Sequence, residues 1–77
     1  MNEYFEAARN TGVLDLIPQN GGISSKVLLW VGPGLSYTFL TSGAINAYWS
    51  GNRLVVVMEG GEVRSYSSFY DYDIIKF

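Results

Sequence analysis

Neither cysteine nor histidine occurs among the 77 residues. Without cysteine there is no disulfide staple and no thiolate metal site. Without either residue, a Ser-His-Asp triad, a Cys-His dyad and zinc sites built on those ligands are excluded. Charge is also scarce, at 16% of residues against about 25% in an average soluble domain. The five basic residues, Arg9, Lys26, Arg53, Arg64 and Lys76, are scattered, and the net charge is −2. Duplex nucleic-acid binding rests on clustered Lys and Arg neutralising phosphates, so no such partner is expected. The first residues lack the basic and apolar regions of a signal peptide, no Asn-x-Ser/Thr acceptor is present, and a cytoplasmic location is the expectation. From Val27 to Asn52 there is no charged residue, a length that reaches the roughly 20 residues of a membrane span. Gly32-Pro33-Gly34, the interspersed Ser, Thr and Asn, and local alternation argue instead for paired strands, so no membrane contact is expected.

What is abundant is apolar and aromatic surface: 48% hydrophobic and 16% aromatic residues. One domain of this size buries only roughly 60% of its unfolded surface, so apolar burial must carry the fold. A surface so short of charge also suggests a protein partner or self-association.

Asn2 caps a predicted helix over residues 3–10, with Glu3 and Glu6 near its positive end, Arg9 near its negative end and Gly12 ending it. Phe5 and Ala8 share one face, too short to be stable alone, so that face should pack on a sheet. Residues 13–18 read as a helical turn or a short strand, and Pro18 to Gly22 as a loop. Lys26–Val31 and Leu35–Thr41 read as strands joined at Gly32-Pro33-Gly34. In that register Val31 pairs with Leu35, Leu29 with Tyr37 and Val27 with Phe39, giving six apolar residues on one face. Lys26, Leu28, Trp30, Ser36, Thr38 and Leu40 make a mixed opposite face that the helix would partly cover. Thr41-Ser42-Gly43 reads as a break.

Two turns then set a meander. Treated as two-residue hairpins, Gly51-Asn52 pairs Trp49 with Leu54, Ala47 with Val56 and Ile45 with Met58. Gly60-Gly61 pairs Met58 with Val63, Val56 with Ser65 and Val55 with Tyr66. Alternation then places Ile45, Ala47, Trp49, Leu54, Val56, Met58 and Val63 on the core face. Asn46, Ser50, Arg53, Glu59, Glu62 and Arg64 fall opposite. Residues 67–72 read as a turn and Asp73–Phe77 as a short closing strand. The expectation is an α+β, mostly β domain: residues 1–12 a helix, residues 26–77 a strongly bent antiparallel sheet of five to six strands. This strand order resembles an SH3-like barrel in outline, which implies a partly open barrel.

Carboxylates are the remaining chemistry. Glu59 and Glu62 flank a hairpin tip, a wet setting unsuited to catalysis. Asp71 and Asp73 have the spacing of a hard-cation pair, but no Asp/Asn/Gly loop surrounds them, and they read as turn acids. Gly32-Pro33-Gly34 and Gly21-Gly22 lack phosphate-loop spacing. No enzyme activity, cofactor or metal is expected. The predicted register aligns Tyr48, Val55 and Tyr66 across three strands on the polar face, beside Asn46, Val57 and Arg64. Phe69-Tyr70-Asp71-Tyr72-Asp73 adds an acidic, tyrosine-rich edge. Tyrosine and arginine are enriched at interface hot spots, so Tyr48, Val55, Arg64, Tyr66, Tyr70, Asp71, Tyr72 and Asp73 are the expected contact residues. The expected function is a non-catalytic interaction module, of the kind a phage or mobile element encodes as an inhibitor of a host defence complex, or as an adaptor. The alternatives are single-stranded nucleic-acid binding by stacking on sheet-face aromatics, and a homo-oligomer subunit pairing through the Lys26 or Asp73 edge strand.

Overall fold

The computed structural model describes residues 2–22, 24–69 and 71–75. One helix and six strands follow in chain order: α1 (Asn2–Thr11), β1 (Leu14–Gln19), β2 (Ser24–Gly32), β3 (Leu35–Ser50), β4 (Arg53–Met58), β5 (Val63–Tyr66) and β6 (Tyr72–Ile75). Every strand pairs antiparallel with its neighbour in sequence, giving the order β1-β2-β3-β4-β5-β6. β1 and β6 are therefore the two edges, with no ladder between them among the described residues. The described sheet is an open meander without SH3-like closure. It also begins at Leu14, not at Lys26, because residues 14–19 pair with β2.

α1 lies on one face of the sheet. Phe5 and Ala8 are its buried residues, as their helical spacing requires. The Phe5 ring sits 5.5 Å from Trp49, 5.9 Å from Phe69 and 6.1 Å from Phe39, centroid to centroid. Around them pack Val27, Leu29, Ala44, Ala47, Leu54, Val56 and Tyr66. This is the face of Leu54 and Val56, so the helix does not cover the Lys26/Trp30 face. Trp30 there finds its own partner, donating from Nε1 to Asp15 Oδ2 at 2.7 Å.

β3 is a single strand of 16 residues, pairing with β2 through its first half and β4 through its second. The expected break at Gly43 is instead a kink inside the ladder. Gly43 has φ +97°, but its N–H donates to Ser24 Oγ at 2.5 Å and its carbonyl accepts from Glu59 N–H at 2.9 Å. With both backbone groups satisfied, the strand continues. A bulge follows at Ile45, so Ala44 rather than Ile45 pairs with Met58. The extra residue turns outward, and Ile45 is exposed. The β2–β3 hairpin keeps the predicted Leu29–Tyr37 pair but turns on Pro33-Gly34 alone, with Gly32 opposite Leu35. Leu35 therefore pairs with Gly32 in place of Val31 and is exposed.

The first meander turn holds its predicted register from Ser50–Arg53 through Ala47–Val56. The second differs by one residue. Met58 N–H donates to Glu62 O at 2.7 Å, and Gly61 N–H donates to Met58 O at 2.9 Å. The loop is thus three residues, Glu59-Gly60-Gly61, with only Gly61 left-handed at φ +92°. That is the turn-plus-bulge hairpin, whereas a two-residue I′ turn needs positive φ at both central positions. Leu54 therefore pairs with Tyr66, Val55 with Ser65, Val56 with Arg64 and Val57 with Val63. A one-residue slip exchanges faces: Arg64 and Tyr66 move to the helix side, and Val63 and Ser65 move to the outer side.

Candidate interaction surface

Four rows cross β3 to β6 in the observed registers. On the helix side run Trp49–Leu54–Tyr66–Tyr72 and Ala47–Val56–Arg64–Ile74. On the outer face run Tyr48–Val55–Ser65–Asp73 and Asn46–Val57–Val63–Ile75. The expected Tyr48–Val55–Tyr66 row does not exist, because Tyr48 and Tyr66 look to opposite sides.

Tyr66 is a core residue, 3% exposed. Its ring lies 4.7 Å from Phe39 and 4.8 Å from Tyr72, and its hydroxyl accepts from Arg64 Nη1 at 3.1 Å. Arg64 also ion-pairs with Glu62 and places its guanidinium carbon 4.7 Å from the centre of the Tyr72 ring. The hydrogen bonds it donates to Tyr66 and Glu62 hold its pKa above the ordinary arginine value, so it is a fixed cation closing one end of the aromatic cluster.

On the outer face, Tyr48 is half exposed while Val55, directly opposite it, is 5% exposed. Arg53 ties β4 to the last two strands. Its Nε donates to Ser65 Oγ, and its Nη2 donates to Ser65 O at 2.8 Å and to Asp73 Oδ2 at 3.0 Å. Asp73 keeps a side chain 81% exposed despite that pair. Asp71 is exposed in the β5–β6 connection, its carbonyl accepting from Ser67 N–H and its own N–H donating to Ser68 Oγ. Tyr70 lies outside the described residues.

Of the expected contact residues, Tyr48, Val55 and Asp73 share the outer face, Asp71 stands at its end, and Arg64, Tyr66 and Tyr72 share the helix side. The Tyr48 and Tyr72 rings belong to opposite faces and form no continuous stacking platform. Sequence reading missed Ile74 and Ile75. Both are exposed on β6, at 52% and 37%, beside Tyr72 at 41%. The signal for them was the terminal run of apolar residues with only one short strand to cover it.

The helix side also holds an open cleft of about 510 Å³, lined by Tyr4, Val31, Leu35, Ser36, Tyr37, Thr38, Phe39 and Phe69. The Tyr37 hydroxyl is buried with no hydrogen-bond partner among the described residues, and burial pushes its pKa up to about 12. Among the described residues no group of three acidic side chains is placed to hold a metal ion, and no helix is long and apolar enough to cross a membrane. Comparison with protein-family models, with curated proteins and with solved structures returns no match. The fold defines a small β-rich α+β domain with an antiparallel meander and an aromatic cluster.

Proposed function

We propose that this chain is a non-catalytic protein-interaction module, a compact inhibitor or adaptor of the kind encoded by phages and mobile elements against host complexes. Its contact surface comprises Tyr48 on the outer face and the Asp71–Ile75 segment. The carrying observation is β6: a short edge strand on which every residue is exposed, three of them large and apolar. Monomers seldom leave contiguous apolar edge surface without a use for it. Three of the originally expected residues have structural duties in this reading. Tyr66 and Val55 are buried, and Arg64 is held by Glu62, Tyr66 and Tyr72.

The test is capture of partners from host extract with the full chain as bait, followed by binding measurements with Tyr48→Ala and Ile74→Ser. A partner that loses at least tenfold in affinity for either variant supports the proposal. Partners that all bind both folded variants as they bind the natural chain refute it.

A further inference from the structure

The two sheet edges are not alike. In β1, Trp30 N–H donates to Val13 O, and with Leu14 opposite Leu29 the antiparallel alternation turns the backbone groups of Leu14, Leu16 and Pro18 outward. Proline supplies no donor, and at an outward edge position it blunts pairing with another chain. In β6, Ser67 N–H donates to Asp71 O, so the same alternation along the Ser65–Asp73 and Val63–Ile75 pairs turns the N–H and C=O groups of Tyr72 and Ile74 outward. Neither is a proline, and the one charge within β6, Asp73, bonds Arg53 through one oxygen while its side chain stays largely exposed on the outer side.

The side chains along this open edge alternate in character. Tyr72 and Ile74 point to the helix side, while Asp73 points to the outer side. The Ser67–Asp71 bond extends the ladder by one pair, so Asp71 follows Asp73. An added strand would meet Tyr72 and Ile74 on one face, and the carboxylates of Asp71 and Asp73 followed by Ile75 on the other.

We infer that β6 accepts an extended segment of a partner protein as an added strand, and that this segment alternates apolar and basic residues. The inference rests on the interaction-module reading and specifies its mode. Main-chain bonds at Tyr72 and Ile74 supply affinity, and the two faces supply selectivity. Asp71 and Asp73 steer a basic segment to the edge.

The probe is an eight-residue peptide alternating Val and Lys, titrated into the full chain at low salt by fluorescence polarisation. It is compared with a Val/Glu peptide and with a Val/Lys peptide N-methylated at alternate residues. The expected result is binding of the Val/Lys peptide alone, weakened by salt, with amide NMR shifts centred on Tyr72 and Ile74. Asp71→Lys, at an exposed position, should weaken it roughly fivefold, and Ile74→Pro should abolish it. Equal binding of the N-methylated or acidic peptide, or no binding by any peptide, overturns the inference. So does a dimer, seen by sedimentation, that Ile74→Pro dissociates, since the occupant is then a second copy. A captured partner that ignores Asp71→Lys and Ile74→Pro but is lost with Tyr48→Ala overturns it while leaving the interaction module standing.

Discussion

Replacing Tyr66 with alanine removes a ring from the core, and the size of the effect distinguishes the two registers considered for β4 and β5. In the structure the ring is 3% exposed and packed against Phe39 and Tyr72. Truncating such a buried aromatic costs about 3–5 kcal/mol. A domain of 77 residues has a total stability of roughly 4–12 kcal/mol at typical values per residue. The variant should therefore be close to unfolded, or unfold at a urea midpoint lower by about 2 M or more for a slope near 1–2 kcal/mol/M. Tyr66→Phe keeps the ring and loses only the hydroxyl that accepts from Arg64, so it should cost about 0.5–1.5 kcal/mol. Urea denaturation followed by tryptophan fluorescence measures both. If Tyr66→Ala costs less than about 1 kcal/mol, as for a ring on an exposed face, the register with Leu54 opposite Tyr66 is wrong, and the two faces of β5 must be exchanged.

Phe5→Ala should cost about 3–5 kcal/mol, because this ring joins α1 to Phe39, Trp49 and Phe69; thermal melting together with loss of helical circular dichroism reads it. Gly61→Ala should cost about 1–2 kcal/mol from its left-handed backbone alone, since nothing lies within 4 Å of the added carbon. Gly60→Ala, at an equally open position without positive φ, should be nearly neutral, and denaturation curves of the pair check the three-residue loop. Tyr37→Phe should leave stability unchanged or raise it, because the hydroxyl it removes is buried without a partner among the described residues. The natural chain should also lose stability as pH rises from about 10 towards about 12. The folded state holds the Tyr37 proton up to about 12, while the unfolded chain releases it near 10, so the folded state binds more protons in that window. Tyr37→Phe should flatten this part of the pH profile, measured by denaturation at each pH.

Residue order alone determined much of this molecule. Local spacing fixed the helix ending at Gly12 with Phe5 and Ala8 inward, the strand–turn–strand sequence, the Leu29–Tyr37 pair and the register across Gly51-Asn52 as far as Ala47–Val56. These depend on interactions between near neighbours: caps, left-handed turns and side-chain periodicity. What only the tertiary structure decided turns on single-residue choices that local pattern leaves balanced. Gly60-Gly61 supports either a two- or a three-residue loop, and alternation around Val63-Arg64-Ser65-Tyr66 offers both faces something apolar. Packing broke the tie, because the cavity beside Phe39 and Phe5 takes the Tyr66 ring and Arg64 can close it through Glu62 and Tyr72. The Ile45 bulge has the same origin: Gly43 and Ser24 set where β3 leaves β2 for β4, and one residue had to be put outside the ladder. The sheet edges likewise became unequal only when the ladder assigned Pro18 and Ile74 their outward positions, since hydrogen-bond direction along a strand depends on its partner and not on its own sequence.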